Sequence, residues 1–296
     1  MFDENSLISK DIKYFEGVEE PLVPIILSRL LFQKKKLFFI SENDNQMFEI
    51  KNFISSSQPD VEIILIPSWE TNPYDISSPN REILGKRIYS FTKIFKKNFL
   101  NKKVLIITTF NALLIKNAPL SFFDNLLLTL KKSSIYSINQ IKIFLIKFGY
   151  KRVETVRETS EFSIRGDILD IFVNGYNDPF RIYFLENKIE KIVKFDPFNQ
   201  RNLINSNLDD FTIFSAREFF FENENINLFK LKYSKIFDLD LKKDFFYNQI
   251  ISGYTPEGIE NYLELFHEDS LSNIFELIFN NNLLKNNLTT ITYFSC

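Results

Sequence analysis

The sequence is poor in the residue types that build metal centres and disulfide frameworks. Its one cysteine, Cys296, is the last residue, and its one histidine is His267. A disulfide needs two cysteines and a zinc site needs several ligands, so we expect neither. The longest apolar stretch, residues 22–32, is too short to span a bilayer, and the polar N-terminus MFDENSLISK is unlike a signal peptide. We therefore expect a cytoplasmic protein without a membrane partner.

Glycine is also scarce, and the net charge is small. The chain has 7 glycines, and 36 basic against 38 acidic residues give a net charge of −2, which provides no basic surface for non-specific nucleic-acid binding. A nucleotide-binding α/β domain usually has a glycine-rich loop before its first helix. The corresponding stretch, residues 17–24, reads GVEEPLVP and lacks the second glycine, the lysine and the serine or threonine. Because Glu19 and Glu20 would repel a triphosphate, we expect no ATP binding and no cofactor.

Helical and strand-like apolar segments alternate over the first 120 residues. The expected strands are residues 37–40, 61–66 and 104–107, and the expected helices are residues 22–32, residues 43–54 and one that begins at Ser78-Pro79 with Ser78 as its cap. Strands that are apolar along their whole length and alternate with helices indicate a parallel sheet covered on both faces. We therefore predict an α/β domain over residues 1–120.

The pattern changes after residue 122. Ser137 and Gln140 have the spacing of a capping box for a helix that ends near Gly149. An antiparallel meander is expected to follow, so that residues 135–202 form a compact α+β unit. From residue 210 onward we expect the chain to be helical again, with helices at 241–251 and 272–279 and a final strand-like run at 288–294.

The meander is the most informative stretch. Residues 168–173 favour a strand that Asn174-Gly175 is expected to close as a hairpin, and residues 180–185 and 189–195 favour two return strands. In the first return strand, period-two alternation places Phe180, Ile182 and Phe184 on one face and Arg181, Tyr183 and Leu185 on the other. No phosphate loop, metal cluster or nucleophile lies in the meander, which indicates a docking surface.

Several motifs together resemble a known family. The chain resembles the N-terminal module of the bacterial transcription-repair coupling factors, which is itself similar to the excision-repair protein UvrB. The resemblance covers nearly the whole chain in order. The motifs that carry it are PSWETNPYDISSP at 67–79, ITTFNALL at 107–114, EFSIRGDILDIF at 161–172, PFRIYF at 179–184, IEKIVKFDPFNQR at 189–201 and GIENYLELFHE at 258–268.

The resemblance implies a three-part organisation and a partner. It implies a P-loop-NTPase-like domain 1A at residues 1–120 with a degenerate phosphate loop, an inserted antiparallel α+β domain 2 at 135–202 that binds UvrA, and a domain 1B, from 121–134 and 203–296, that packs back on 1A. UvrB keeps an intact phosphate loop and a DNA-clamping hairpin, and the loss of both favours the coupling factors. RNA polymerase and double-stranded DNA are expected partners of the full-length family through regions outside this chain.

The resemblance also selects four residues. Arg165 in SIRG and Arg181 in PFRI match the arginines that the family places on the UvrA-binding face, and Phe184-Leu185 lies where the family often has two aromatics. Leu185 departs from that pattern. Arginine suits such a face because its planar fork binds carboxylates bidentately.

The residues alone allow other interpretations. The two arginines could instead pair within the domain, with Asp170 or Glu190 as partner.

For the chain as a whole, our hypothesis is a non-catalytic module that recruits UvrA and links stalled transcription to nucleotide excision repair. One alternative is the front end of an ATP-dependent DNA translocase whose motor lies elsewhere. Another is a metabolic α/β enzyme, which predicts a polar pocket at the carboxyl ends of the strands.

Overall fold

The computed structural model describes residues 19–33, 36–72, 75–95, 102–123, 127–237, 240–279 and 288–292. The chain divides into two compact units: unit 1 contains residues 1–68, 93–116 and 273–296, and unit 2 contains residues 69–92 and 117–272.

Strands and helices alternate at first and then give way to an antiparallel region. The described strands are β1 (Lys36–Ser41), β2 (Glu62–Ile66), β3 (Val104–Thr109), β4 (Leu127–Lys131), β5 (Lys151–Arg152), β6 (Glu161–Arg165), β7 (Ile168–Phe172), β8 (Phe180–Leu185), β9 (Lys188–Phe195), β10 (Asn202–Leu208), β11 (Asp210–Phe214) and β12 (Leu288–Thr292). The described α-helices are α1 (Val23–Gln33), α2 (Asp44–Ser57), α3 (Arg81–Phe95), α4 (Phe110–Leu114), α5 (Leu120–Phe123), α6 (Ile138–Lys147), α7 (Asn223–Ile236), α8 (Phe245–Ile251) and α9 (Ile274–Phe279). Two 3-10 helices span Glu20–Leu22 and Ile259–Phe266.

Unit 1 is built on a parallel sheet, as predicted. Its strand order is β12-β1-β3-β2, and every neighbouring pair is parallel. All residues of β1 and β3 are buried, which is typical of strands covered on both faces. The apolar sides of α1 and α2 pack on the sheet in one core cluster that includes Leu27, Ile50 and Leu105. Asn43 caps α2, because its side chain accepts a hydrogen bond from the Gln46 amide.

Helix α3 begins later than predicted, and its cap is a different residue. The Asn80 side chain accepts a hydrogen bond from the Glu82 amide at 2.8 Å, so Asn80 supplies the capping oxygen. Ser78 is not the cap. Its hydroxyl instead donates to Glu260 and accepts from the Gly258 amide at 2.9 Å, because tertiary contacts compete for a short polar side chain.

Unit 2 contains two antiparallel arrangements. Six strands form a sheet in the order β10-β9-β8-β7-β6-β5, in which only the short β5 is parallel to its neighbour, and β4 pairs with β11. Helix α6 precedes this sheet and ends at Lys147, and Gly149 follows its C-cap Phe148 with a φ of +82°, the left-handed conformation usual just after a helix. The predicted capping box is wrong, because Ser137 makes no side-chain capping bond.

The predicted two-residue hairpin at Asn174-Gly175 is also wrong. The ladder between β7 and β8 ends at the pair Ile171 and Phe180, so a longer loop connects the strands. Asn174 is buried and makes tertiary hydrogen bonds to Ser160 and Ser215. These bonds satisfy its amide in the interior. Asn174 and Gly175 do form a turn, because the Tyr176 amide donates to the Val173 carbonyl at 3.3 Å, but this turn lies within the longer loop and does not join the strands directly.

The prediction of helix from residue 210 is wrong for residues 210–214. They form β11, which pairs antiparallel with β4 over its whole length, from Asp210 with Lys131 to Phe214 with Leu127. A five-residue strand with a charged first residue gives little periodic signal, and its partner lies about 80 residues earlier. The later helices occur as α8 and α9, with Asp244 capping α8 through the Tyr247 amide.

The C-terminal part of unit 2 has its own aromatic core. Stacked rings of Phe219, Phe229 and Phe266 join α7 to the 3-10 helix Ile259–Phe266. His267 lies beside this core and is also buried, in contrast to the surface position usual for a lone histidine. In the part of the chain that the structure describes, no helix is long and apolar enough to cross a membrane, and no group of three potential metal ligands occurs.

Candidate protein-interaction surface

The six-stranded sheet has one face in the protein core and one more open face. Along β8, Phe180, Ile182 and Phe184 are buried, while Arg181 and Tyr183 are only partly buried and Leu185 is 65% exposed. The buried face packs on β11, because the Phe180 ring stacks on the Phe211 ring with centroids 4.3 Å apart. The predicted division of β8 into two faces is therefore confirmed.

Asp170 is the centre of the open face. It lies opposite Arg181 in the β7–β8 ladder and is 1% exposed. Its carboxylate accepts two hydrogen bonds from Arg181, Nε to Oδ1 at 2.7 Å and Nη2 to Oδ2 at 2.9 Å. Arg165, from β6, donates from Nη2 to the same Oδ2 at 2.6 Å. Two arginines share one carboxylate, so the group carries a net charge of about +1.

The side chain of Arg181 has several contacts and is mostly buried. Its side chain is 12% exposed, and its guanidinium lies over the Phe195 ring, 4.6 Å from the centroid. Nη1 donates to the Gln200 carbonyl at 3.0 Å and to the Asn202 side chain at 3.3 Å. Its hydrogen bond with Asp170 is the main reason that its pKa lies above the ordinary arginine value. A guanidinium with this many partners has a structural role in the free chain.

Arg165 is much more accessible. Its side chain is 54% exposed and contacts Asp170 through one nitrogen, so other donors of its guanidinium face outward to solvent. Leu185, two residues from Tyr183 on the same side of β8, adds an exposed apolar side chain. Tyr183 accepts a hydrogen bond from Asn202 at 3.0 Å, which orients its hydroxyl.

The four predicted site residues therefore separate into two groups. Arg165, Arg181 and Leu185 belong to the open face, whereas Phe184 is 5% exposed on the opposite face. In this structure Phe184 can influence a partner only by supporting its neighbours. Asp170 is the intradomain partner of both arginines, which was the alternative interpretation of their role.

Phe198 is a candidate residue that the sequence analysis missed. It is 91% exposed and lies in the loop of residues 196–201, next to the strand that carries Phe195. Asp196 fixes this loop, because its carboxylate accepts hydrogen bonds from the Phe198 and Asn199 amides. The sequence analysis placed a strand end before Asp196 and drew nothing from the loop, although an aspartate that accepts from the amide two residues later is the pattern of an Asx turn. The loop thus fixes the backbone of an exposed aromatic residue.

Comparison with known proteins assigns this region to a family. A model of the UvrB interaction domain matches residues 128–219, which include the six-stranded sheet, β11 and all of β4 except its first residue. The transcription-repair-coupling factor of Escherichia coli (strain K12) is 30% identical over 224 residues, which are 76% of this chain and 19% of that protein. The chain is a relative of the transcription-repair-coupling factors.

Other transcription-repair-coupling factors show the same similarity. That of Rickettsia conorii is 32% identical over 233 residues, which are 79% of this chain and 20% of the relative, and that of Haemophilus influenzae is 27% identical over 256 residues, 86% and 22% respectively. The chain thus spans about a fifth of the length of these transcription-repair-coupling factors. The chain is therefore similar to a segment of these proteins, and its residues 128–219 match a UvrB interaction domain.

Proposed function

We propose that this chain is a non-catalytic module that recruits UvrA through the open face of the six-stranded sheet, and so links stalled transcription to excision repair. The observation that carries the proposal is the half-exposed Arg165 on the buried Asp170, inside the segment that matches a UvrB interaction domain. A guanidinium anchored by one nitrogen is pre-organised, so a partner carboxylate can bind it with little further ordering.

The other candidate residues have different roles in this proposal. Arg181 positions the Asp170 carboxylate and thereby Arg165, while Leu185 and Phe198 supply apolar contact area. Exposed apolar side chains beside an arginine are typical of energetically important interface sites. We expect the complementary surface of UvrA to carry carboxylates next to an apolar patch.

The domain assignments remain part of the proposal. We propose a P-loop-NTPase-like domain 1A at residues 1–120, domain 2 at 135–202, and a domain 1B formed by 121–134 and 203–296. Gly17 and Val18 lie outside the described residues. Glu19 and Glu20 are both exposed, and Glu20 begins the 3-10 helix that precedes α1. Two carboxylates at this position support a phosphate loop that no longer binds a nucleotide. Contacts with RNA polymerase and double-stranded DNA would belong to other segments of the family.

The direct test is a calorimetric titration of purified UvrA with this chain and with Arg165→Ala. We expect Arg165→Ala to weaken binding at least about tenfold, as for a hot-spot arginine. The free energy of unfolding should fall by no more than about 1 kcal/mol, because Asp170 keeps its bidentate bond to Arg181. Arg152→Ala is the matched control, because Arg152 is an exposed arginine on the edge strand β5 of the same sheet. No binding by the unmodified chain would overturn the recruitment function. Binding that ignores Arg165→Ala would overturn the site alone.

Catalytic inactivity has a separate test. A fluorescent ATP analogue with Mg²⁺ should not bind the chain at concentrations up to about 1 mM, where an intact phosphate loop would be saturated. Saturable binding displaced by unlabelled ATP would contradict the degenerate loop and favour the translocase alternative.

A further inference from the structure

Unit 2 contains an open groove of about 830 Å³ away from the six-stranded sheet. The end of α7, the start of α8 and the 3-10 helix Ile259–Phe266 form its walls, and residues 75–76 and 256–258 complete it. We call it the α7–α8 groove. Its volume lies within the range of roughly 300–1,000 Å³ that is usual for binding clefts.

The groove is largely apolar. The rings of Phe246 and Tyr262 pack together inside unit 2, 4.5 Å between centroids. Three other lining residues expose large apolar side chains: Ile76 is 86% exposed, Ile236 is 62% exposed and Phe245 is 75% exposed. Grouped apolar side chains around a concave surface are typical of a binding site, because their burial by a ligand is favourable.

The charges of the α7–α8 groove have one sign. Among the described residues that line it, the charged ones are Asp75, Asp244, Glu257 and Glu264, and none is a lysine or arginine. The hydrogen bonds of the first three go to uncharged donors: the amides of Asn72, Tyr247 and Ser78 and the hydroxyl of Tyr233.

Nearby lysines do not neutralise these four carboxylates. The ammonium of Lys232 contacts the main-chain oxygens of Glu264 and His267, and Lys243 pairs with Asp240. In the part of the chain that the structure describes, no ion pair involves the four groove carboxylates. The groove therefore combines an apolar surface with an uncompensated negative charge.

We propose that the α7–α8 groove binds a cationic amphipathic helical segment of another protein. Apolar side chains at helical spacing would occupy the groove, and lysines or arginines beside them would lie opposite the carboxylates. The acidic lining disfavours nucleic acid because phosphates would be repelled. It also disfavours a second copy of this chain joined groove to groove, since the same carboxylates would face each other. This site is independent of the proposed UvrA surface.

The test uses two labelled peptides with one apolar face. One is a helical peptide with leucines at i, i+4 and i+7 and flanking lysines, and its twin has glutamates in place of the lysines. In fluorescence anisotropy titrations the lysine peptide should bind at least about tenfold more tightly than its twin, with a salt-dependent Kd. Equal binding of the two peptides, or no binding of the lysine peptide, would overturn the proposal.

Paired variants locate the binding. Ile236→Asp and Glu264→Lys should each weaken the lysine peptide at least about fivefold, because one places charge on the apolar surface and the other reverses a groove charge. Leu231→Asp and Glu268→Lys are the matched controls, since Leu231 is 53% exposed on the same helix α7, Glu268 is exposed beside the 3-10 helix, and neither lines the groove. Equal weakening by the controls would show non-specific attraction and overturn the site.

Discussion

Asp170 and Arg181 form a bidentate ion pair between neighbouring strands of the six-stranded sheet, with Nε–Oδ1 and Nη2–Oδ2 distances of 2.7 and 2.9 Å. Asp170 is 1% exposed, so its charge depends on the two arginines for compensation. The same carboxylate anchors Arg165, the accessible member of the group. Stability and the proposed recognition of UvrA therefore share one residue, and variants must be chosen to separate them.

Asp170→Ala should destabilise the fold strongly. It leaves the guanidinium of Arg181, which is only 12% exposed, without its charged partner, and removal of one partner of a buried pair costs about 3–5 kcal/mol. Urea unfolding followed by circular dichroism measures the change in free energy of unfolding. Asp167→Ala, at an exposed turn position before β7, should change it by less than about 0.5 kcal/mol. Similar values for the two variants would contradict the structural role of the pair.

Alanine variants of two glycines distinguish backbone strain from steric conflict. Gly166 and Gly175 both have positive φ, of +57° and +82°, but a Cβ on Gly166 would meet nothing within 4 Å, whereas one on Gly175 would come within 2.4 Å of the Tyr89 ring. Gly166→Ala should cost about 1 kcal/mol from the left-handed backbone alone. Gly175→Ala should cost about 1–3 kcal/mol more, because the ring must also move. Urea unfolding of the two variants checks the difference, and equal losses would contradict the close packing of Gly175 on Tyr89.

The buried His267 should make stability depend on pH. Burial lowers the pKa of His267 below the ordinary value of 6.5, and the nearby charge of Lys232 lowers it further. Two contacts act in the opposite direction: the Glu218 carbonyl, 2.7 Å from Nε2, and the charge of Asp269. The unfolded chain therefore binds more protons than the folded chain below pH 6.5. The contribution of His267 to stability is present above this pH and is lost as the pH falls, by up to about 1.4 kcal/mol per pH unit.

The effect of His267 is measured as the difference in free energy of unfolding between the unmodified chain and His267→Gln. Burial raises the pKa of Glu218 and Glu260, so the folded state keeps their protons to higher pH and their contribution to stability grows as the pH falls. These opposing contributions cancel when the free energy of unfolding of His267→Gln is subtracted from that of the unmodified chain at each pH. The difference should decrease between about pH 7.5 and 5.5. A difference independent of pH would contradict the proposed titration.

The predictable part of the fold is the part with strong periodicity. Strands β1 and β3 are buried on both faces, which requires continuous apolar runs, and β8 is buried on one face, which requires alternation. Both patterns are visible in the sequence. The strand β11 was missed because its partner β4 is distant in the chain. Asn174 does lie in a turn, but its burial and its bonds to Ser160 and Ser215 depend on distant parts of the chain, so the length of the loop was not predicted.

The candidate site could likewise be predicted only where it depends on local pattern. The alternation along β8 identifies which side of the strand Arg181 occupies, and this prediction is confirmed. That Arg165 and Arg181 meet on Asp170 depends on the register of three strands, which no local pattern specifies. The two arginines differ in exposure, 54% against 12%, and Arg181 has contacts with the Phe195 ring and the Gln200 carbonyl that neither arginine's own sequence position predicts.

Leu185→Phe should strengthen UvrA binding if the open face is the contact surface. Leu185 is 65% exposed, so an aromatic ring can be placed there without repacking the core, and an added aromatic contact contributes about 0.5–1.5 kcal/mol beyond buried area. Calorimetric titration should show a Kd lowered by about threefold to tenfold with an unchanged urea midpoint. Leu231→Phe, a 53% exposed leucine on α7, is the matched control and should bind UvrA as the unmodified chain does. If both leucine variants gain equally, the effect is general surface hydrophobicity, and Leu185 has no special place in the interface.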